Sequence, residues 1–444
     1  MEQVFIKAAQ LIVSLSILVF IHELGHFMFA KLFKAKVEKF YLFFNPWFTL
    51  FKKKIGETEY GLGWLPLGGY TKIAGMVDES MDKEAMKKPA QPWEFRSKTT
   101  GQRLLIMIGG VLMNFILAFI IYIGVLYVWG EKYLTTNSLE YGISVSETGQ
   151  QIGLEDGDKI LSLDGEYLDN FYKIIPTVLL DDIKNVQVLR DGHKVDVPIT
   201  DDDIALMLKS KGIMDVRMPF KCQVAKTMKD SPADIAGFKK KDTFVSVDGN
   251  EFLFYDQFKT YLNQHKNQIV KASVIRDGKE MVIPVKVSET GTIGFYTQFT
   301  EQATDFMKYK TTHYSFFGSI PAGIERGYST TVNYLKQFKL IFSPKTKAYE
   351  SLGGFIAIGN IFPGQWDWFS FWNMTAFLSI ILGIMNLLPI PALDGGHVMF
   401  LFFEMITGRK PGEKFMEYAQ IAGMGFLLLL VIFANANDII KLFN

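Results

Sequence analysis

Residues 20–27 read Phe-Ile-His-Glu-Leu-Gly-His-Phe, with two histidines four positions apart and a glutamate directly after the first. On a helix, positions i and i+4 lie one turn apart on the same face, so His22 and His26 can reach a single ion. Glu23 is placed to take a proton from a water held at that ion. The chemistry is metal-assisted hydrolysis, in which a metal such as zinc lowers the pKa of water to about 7. The stretch lies inside an otherwise apolar run, where each ionisable side chain costs roughly 2.5–3.5 kcal/mol even on lenient insertion scales. Three such groups need a function to keep them there.

A catalytic metal of this kind takes three protein ligands and keeps one position open, so the histidine pair needs a third partner. Residues 386–397, NLLPIPALDGGH, close another apolar run and offer Asp394, with His397 just beyond as the rival. Pro389 and Pro391 break the helix there and free backbone groups that only a protein-lined or wet cavity satisfies. A plain turn at a membrane exit is the other reading of Asp394-Gly395.

Four elements must carry these residues. The runs 8–32, 104–129, 371–388 and 418–434 are apolar enough, and about long enough, to cross a bilayer core of roughly 30 Å, which takes about 20 helical residues. The first lacks a basic leading region and carries the polar motif where a cleavage site would stand, so it is expected to remain as a span. Lys31, Lys34, Lys36, Lys39, Lys52, Lys53 and Lys54 follow the first run, and Arg409, Lys410 and Lys414 precede the fourth. Basic short loops face the cytoplasm, which predicts an N-out, C-out chain with both polar motifs toward the cytoplasm and 130–370 outside. Hydrophobic residues make up 49% of the 444, enough for membrane and soluble parts together. A net charge of +1 points away from nucleic acid, and a single cysteine, Cys222, excludes an internal disulfide.

The outer segment holds a repeat. GLEDGDKILSLDG (153–165) and GFKKKDTFVSVDG (237–249) share one pattern 84 residues apart, and VLRDGHKVDVPI (188–199) matches VIRDGKEMVIPV (274–285) 86 residues apart. Period-2 apolar patterning and Asp-Gly turns predict two β-rich domains of about 80 residues. The pattern resembles PDZ domains of bacterial proteases, although the first copy lacks the Ser-Pro-Ala (231–233) that precedes the second. Beyond them, 323–342 reads as an amphipathic helix, and Trp366, Trp368 and Trp372 suit an outer membrane interface.

HELGH in a first span, Asn-x-x-Pro-x-Pro-x-Leu-Asp-Gly-Gly in a later one and PDZ-like domains between them resemble the site-2 protease family of intramembrane metalloproteases over essentially the whole chain. The resemblance implies Zn²⁺ held by His22, His26 and Asp394, Glu23 as general base, and Asn386 bonding the substrate backbone. GLGWLPLGGYTKIAGM (61–76) is similar to the family's membrane-associated β-hairpin, whose edge pairs with an extended substrate. This adds Gly68, Gly69, Tyr70, Pro389 and Pro391 to the expected substrate contacts. GGVLMN (109–114) is similar to the family's Gly-x-x-x-Asn element and adds Asn114, with Gly110 where a proline is usual.

The expected fold is a polytopic α-helical membrane protein with about four transmembrane helices, that β-hairpin and two extracytoplasmic PDZ-like domains. Its parts are 1–130 with the first two spans, 131–220 and 221–295 as the PDZ-like pair, a helical linker 296–370, and 371–444 with the last two spans. The resemblance implies a monomer in a bacterial cytoplasmic membrane that cuts single-pass membrane proteins already trimmed by another protease, such as anti-sigma factors or remnant signal peptides. A membrane-tethered PDZ scaffold has no use for HELGH, and a transporter would be expected to repeat its spans.

Overall fold

The computed structural model describes residues 2–66, 68–76, 89–210, 212–300, 304–341 and 353–443. Leu67 of the expected hairpin, and 301–303 and 342–352 of the expected linker, lie outside them. The chain divides into two units, one of residues 1–130, 313–338 and 349–444, the other of 131–312 and 339–348.

Along the first unit run α1 (Glu2–Leu32), β1 (Val37–Leu42), β2 (Phe51–Ile55), β3 (Thr58–Leu62), β4 (Tyr70–Ile73), α2 (Thr100–Trp129), α3 (Phe316–Ile341), α4 (Phe355–Asn360), α5 (Trp368–Leu387), α6 (Asp394–Thr407) and α7 (Glu413–Phe443). Among the described residues four helices, α1, α2, α5 and α7, are long and apolar enough to cross a membrane. Helix α1 is amphipathic in the inverse sense. Gln10, Ser14, Leu18, His22, His26 and Ala30, spaced by four, are buried, whereas Val4, Phe5, Ile12, Phe20 and Met28 are exposed. Polar-in and apolar-out is what a lipid solvent demands.

Helix α2 opens with a reciprocal cap between Thr99 and Gln102 and lies close against α1. A side chain at Gly25 would collide with the carbonyl of Gly109, so glycine is what allows the backbones to approach. Helix α5, capped by Asp367 accepting from Ser370 N at 2.7 Å, packs Ala376, Ile380 and Ile384 on Ala118, Ile121, Tyr122 and Val125 of α2. Buried hydroxyls pin the three helices. Thr375 Oγ1 donates to Ser14 Oγ at 3.0 Å, and Ser379 Oγ donates to the carbonyl of Asn114 at 2.8 Å. Helix α3 sets Gly323 and Gly327 against Ile123 and Phe119 of α2, and Glu404 of α6 pairs with Arg103 of α2 at 2.6 Å.

The sheet between the first two spans has the order β2-β3-β1-β4. The hairpin expected at 61–76 is therefore corrected: its two strands, β3 and β4, do not pair with each other but flank β1, β3 parallel and β4 antiparallel. The chain crosses the end of β1, with Gly63 N donating to Leu42 O at 2.8 Å. Pairing β3 with β4 would leave the buried backbone of β1 unpaired, at a cost comparable to lost hydrogen bonds.

In the second unit, the first copy has strands Lys159–Leu163, Asn185–Arg190 and His193–Pro198 in one sheet, with Ile143–Val145 paired to Met214–Val216. The second copy repeats the order as one five-stranded sheet whose last strand, Phe295–Phe299, carries it past the boundary expected at 295. Both copies bury an aspartate under an arginine fork. Arg190 binds Asp158 at 2.8 and 2.7 Å, and Arg276 binds Asp242 at 2.7 and 2.6 Å. Ser146 caps a short helix in the first copy as Ser231 does in the second, so the serine cap is kept where Ser-Pro-Ala is missing. Burial pushes the Cys222 thiol up to about 12, which keeps it protonated and inert. The unit is closed where Glu131–Leu134 pairs antiparallel with Tyr309–Thr312.

Candidate active site

His22 and His26 project from α1 toward α2, where Gly110 makes room for them; a side chain at Gly110 would collide with His26 Nε2 and the His22 ring. His26 Nδ1 lies 2.9 Å from the carbonyl of Ile106. A carbonyl only accepts, so Nδ1 carries a proton and Nε2 is the nitrogen turned toward His22 and Asp394. His22 Nδ1 lies 3.2 Å from the side-chain amide of Asn114.

Asp394 reaches the same point from the opposite side. After α5 ends at Leu387, Pro389 and Pro391 prevent its continuation, and Ala392 adopts φ 84°, a left-handed turn costing a non-glycine residue of order 1–3 kcal/mol. The two following glycines let α6 fold back on this turn. A side chain at Gly395 would collide with the carbonyls of Leu387 and Leu388, and one at Gly396 would lie 2.6 Å from Pro391 Cα.

The result is a triangle. His22 Nε2 and His26 Nε2 stand 3.2 Å apart, and Asp394 Oδ2 is 3.1 and 3.2 Å from them. Among the described residues this is the one cluster of three His, Cys, Asp or Glu side chains able to share an ion. His397 lies on the wall of the same cavity but outside the cluster.

The cavity, about 460 Å³, is lined also by Glu23, Lys39, Gly69, Tyr70, Thr71, Lys72 and Met107. Strand β4 is tied to the catalytic turn of α1. Thr71 Oγ1 donates to the Glu23 carbonyl at 3.2 Å, and a side chain at Gly69 would lie 3.2 Å from Glu23 Cγ. Tyr70 stacks on Tyr41 with centroids 5.2 Å apart. Of the expected substrate contacts, the structure brings Gly69 and Tyr70 to the cavity. Asn114 is fully buried and faces the site through His22, away from the cavity wall. Gly68, Asn386, Pro389 and Pro391 are not among the lining residues; the two prolines shape the turn that carries Asp394. The Ile106 carbonyl escaped the sequence because backbone groups carry no signature, and Gly110 because glycine alone names no neighbour.

A model of peptidase family M50 matches residues 10–430. The chain belongs to family M50. It is similar to the regulator of sigma E protease of Haemophilus influenzae, 27% identical over 452 residues that cover 97% of this chain and 98% of that one. It is also similar to a Fusobacterium nucleatum protein provisionally named a zinc metalloprotease, 26% identical and covering 98% of both chains. M50 membership makes the chain a zinc metalloprotease, the site-2 protease kinship its motifs suggested.

The M50 zinc fits the donors present. Tetrahedral zinc with bonds of about 2.0–2.2 Å separates its ligand atoms by about 3.3 Å, close to the edges of the triangle. Asp394 Oδ2 is buried and faces the two imidazole nitrogens at 3.1 and 3.2 Å, where a shared cation would bridge all three. Two imidazoles and one carboxylate form the donor set of a hydrolytic zinc with an open position.

Proposed function

We propose that this M50 protease cuts the transmembrane segments of single-pass membrane proteins, already shortened on their outer side. The supporting observation is the place of the cavity: Glu23 and the His22–His26–Asp394 cluster stand among helices long enough to span a bilayer, beside the open edge of β4. An unwound substrate strand pairs with that edge through backbone hydrogen bonds, next to Gly69 and Tyr70. His22, His26 and Asp394 would hold the zinc, which would supply Lewis-acid polarisation of the scissile carbonyl. Glu23 takes the proton of the attacking water and delivers it to the leaving amine.

The basic loops support an active site facing the cytoplasm of a bacterial inner membrane. In this reading the repeat pair is PDZ-like, extracytoplasmic, and a size filter that admits trimmed substrates. Substrates are anti-sigma factors, remnant signal peptides or both, and the enzyme works as a monomer in the bilayer.

The test is reconstitution with a single-pass substrate in trimmed and untrimmed forms. Cleavage of the trimmed form inside its span, abolished by a chelator and restored by zinc, is expected. Cleavage confined to soluble loops would refute intramembrane action. Removing the repeat pair should admit the untrimmed form; loss of trimmed-substrate cleavage in a folded, zinc-loaded deletion would assign the pair a binding role.

A further inference from the structure

A row of charged residues crosses the β1–β4 sheet. Lys54 of β2 is in register with Glu59 of β3, Glu59 with Lys39 of β1, and Lys39 with Lys72 of β4. Residues directly opposite share a face of the sheet, and Lys52, two positions before Lys54, lies on that face as well. The row runs from one edge to the other, and its last two lysines line the cavity that holds Glu23 and Asp394.

Glu59 is the one carboxylate in the row, and Glu38 lies beside the row on β1. Glu59 accepts the Tyr41 hydroxyl at 2.7 Å, and Glu38 lies 3.8 Å from Lys72 Nζ. Lys39 and Lys72 face each other, and like charges directly opposite destabilise a sheet. Lysines on an outer strand guard against edge-to-edge pairing, which accounts for Lys52 and Lys54. Strand β4 is the other edge, so the same guard covers Lys72, and Lys39 stands opposite Glu59; what sets Lys39 and Lys72 apart is that both line the cavity. Four lysines against one glutamate in the row, in a line that ends beside the catalytic groups, match an acidic chain that extends from the site.

We propose that this lysine row selects substrates whose cytoplasmic flank is acidic and repels those whose flank is rich in lysine and arginine. The inference rests on the proposed function, with the site facing the cytoplasm. Most membrane proteins carry lysine and arginine on that flank, so the row works chiefly by rejection, which is how binding surfaces gain specificity without new attractive contacts.

The full-length protein in nanodiscs of zwitterionic phosphatidylcholine is given three substrates with one common span and an acidic, an amide or a basic flank. We expect kcat/KM to fall in that order, about three- to tenfold between the extremes, with the spread shrinking as salt is raised. Lys39→Glu with Lys72→Glu should invert the order, and Lys52→Glu with Lys54→Glu on the outer strand should narrow it. Equal rates on the three flanks, or an unchanged order in the reversed variant, overturns the proposal. Rates that follow added phosphatidylglycerol and ignore the flank assign the row to lipid and overturn it too. Cleavage of none of the three refutes the proposed function itself.

Discussion

The side-chain amide of Asn114, on the second spanning helix, stands 3.2 Å from Nδ1 of His22 on the first, while Asn114 Oδ1 is buried without a partner among the described residues. Exchanging the two ends of the amide gives that oxygen the Nδ1–H of His22 and leaves Nε2 free for a metal, the arrangement that orients ligating histidines. Asn114→Ala should lower zinc affinity about 10–100-fold, measured by chelator competition, and Asn114→Asp should largely restore it. Undiminished affinity in the alanine variant would mean that something else holds the ring.

Glu23→Gln should leave zinc content at the wild-type level and reduce cleavage by about 10²–10⁴. The amide keeps the shape of the side chain and loses the base. Metal analysis and a cleavage assay on one preparation check both halves, and residual cleavage above a few per cent would remove Glu23 from the base role.

Asp394→Asn should lower zinc occupancy together with activity, because an amide is a poorer ligand than a carboxylate. His397→Ala should leave occupancy unchanged, since His397 lines the cavity outside the ligand triangle. The opposite pattern would exchange their roles.

Asp242→Asn should destabilise the second β domain by about 3–5 kcal/mol, because the Arg276 fork loses its charged partner where Asp242 is fully buried. Hydrogen exchange on the full chain should show lost protection across 243–286, with the first copy unchanged. Uniform loss over both copies would show that they unfold as one.

Much of this site was legible because its signals are local. HELGH places both imidazoles by helical period alone, and two prolines followed by two glycines mark a sharp return around Asp394. Other features depend on distant partners. The resemblance of 61–76 to the family's hairpin implies strands that pair with each other, yet they found β1, which comes earlier in the chain. Helix α6 is too short to register as a span, and only Gly408, at φ 68°, marks its end. The buried face of α1 was hidden for a related reason. In lipid its stripe of Gln10, Ser14 and His22 is marked by small and polar residues, against apolar surroundings that point outward.

The closing strand pair of the second unit has a consequence for how such enzymes diversify. Glu131 is paired directly with Thr312, so the excursion between them begins and ends at neighbouring points. An excursion of this kind is a cassette: it can be shortened, duplicated or exchanged for another domain with adjacent termini without altering the path of the chain that carries the zinc ligands. Chimeras joined at Glu131 and Thr312 are the natural route to a protease with the same cutting centre and a different inserted domain.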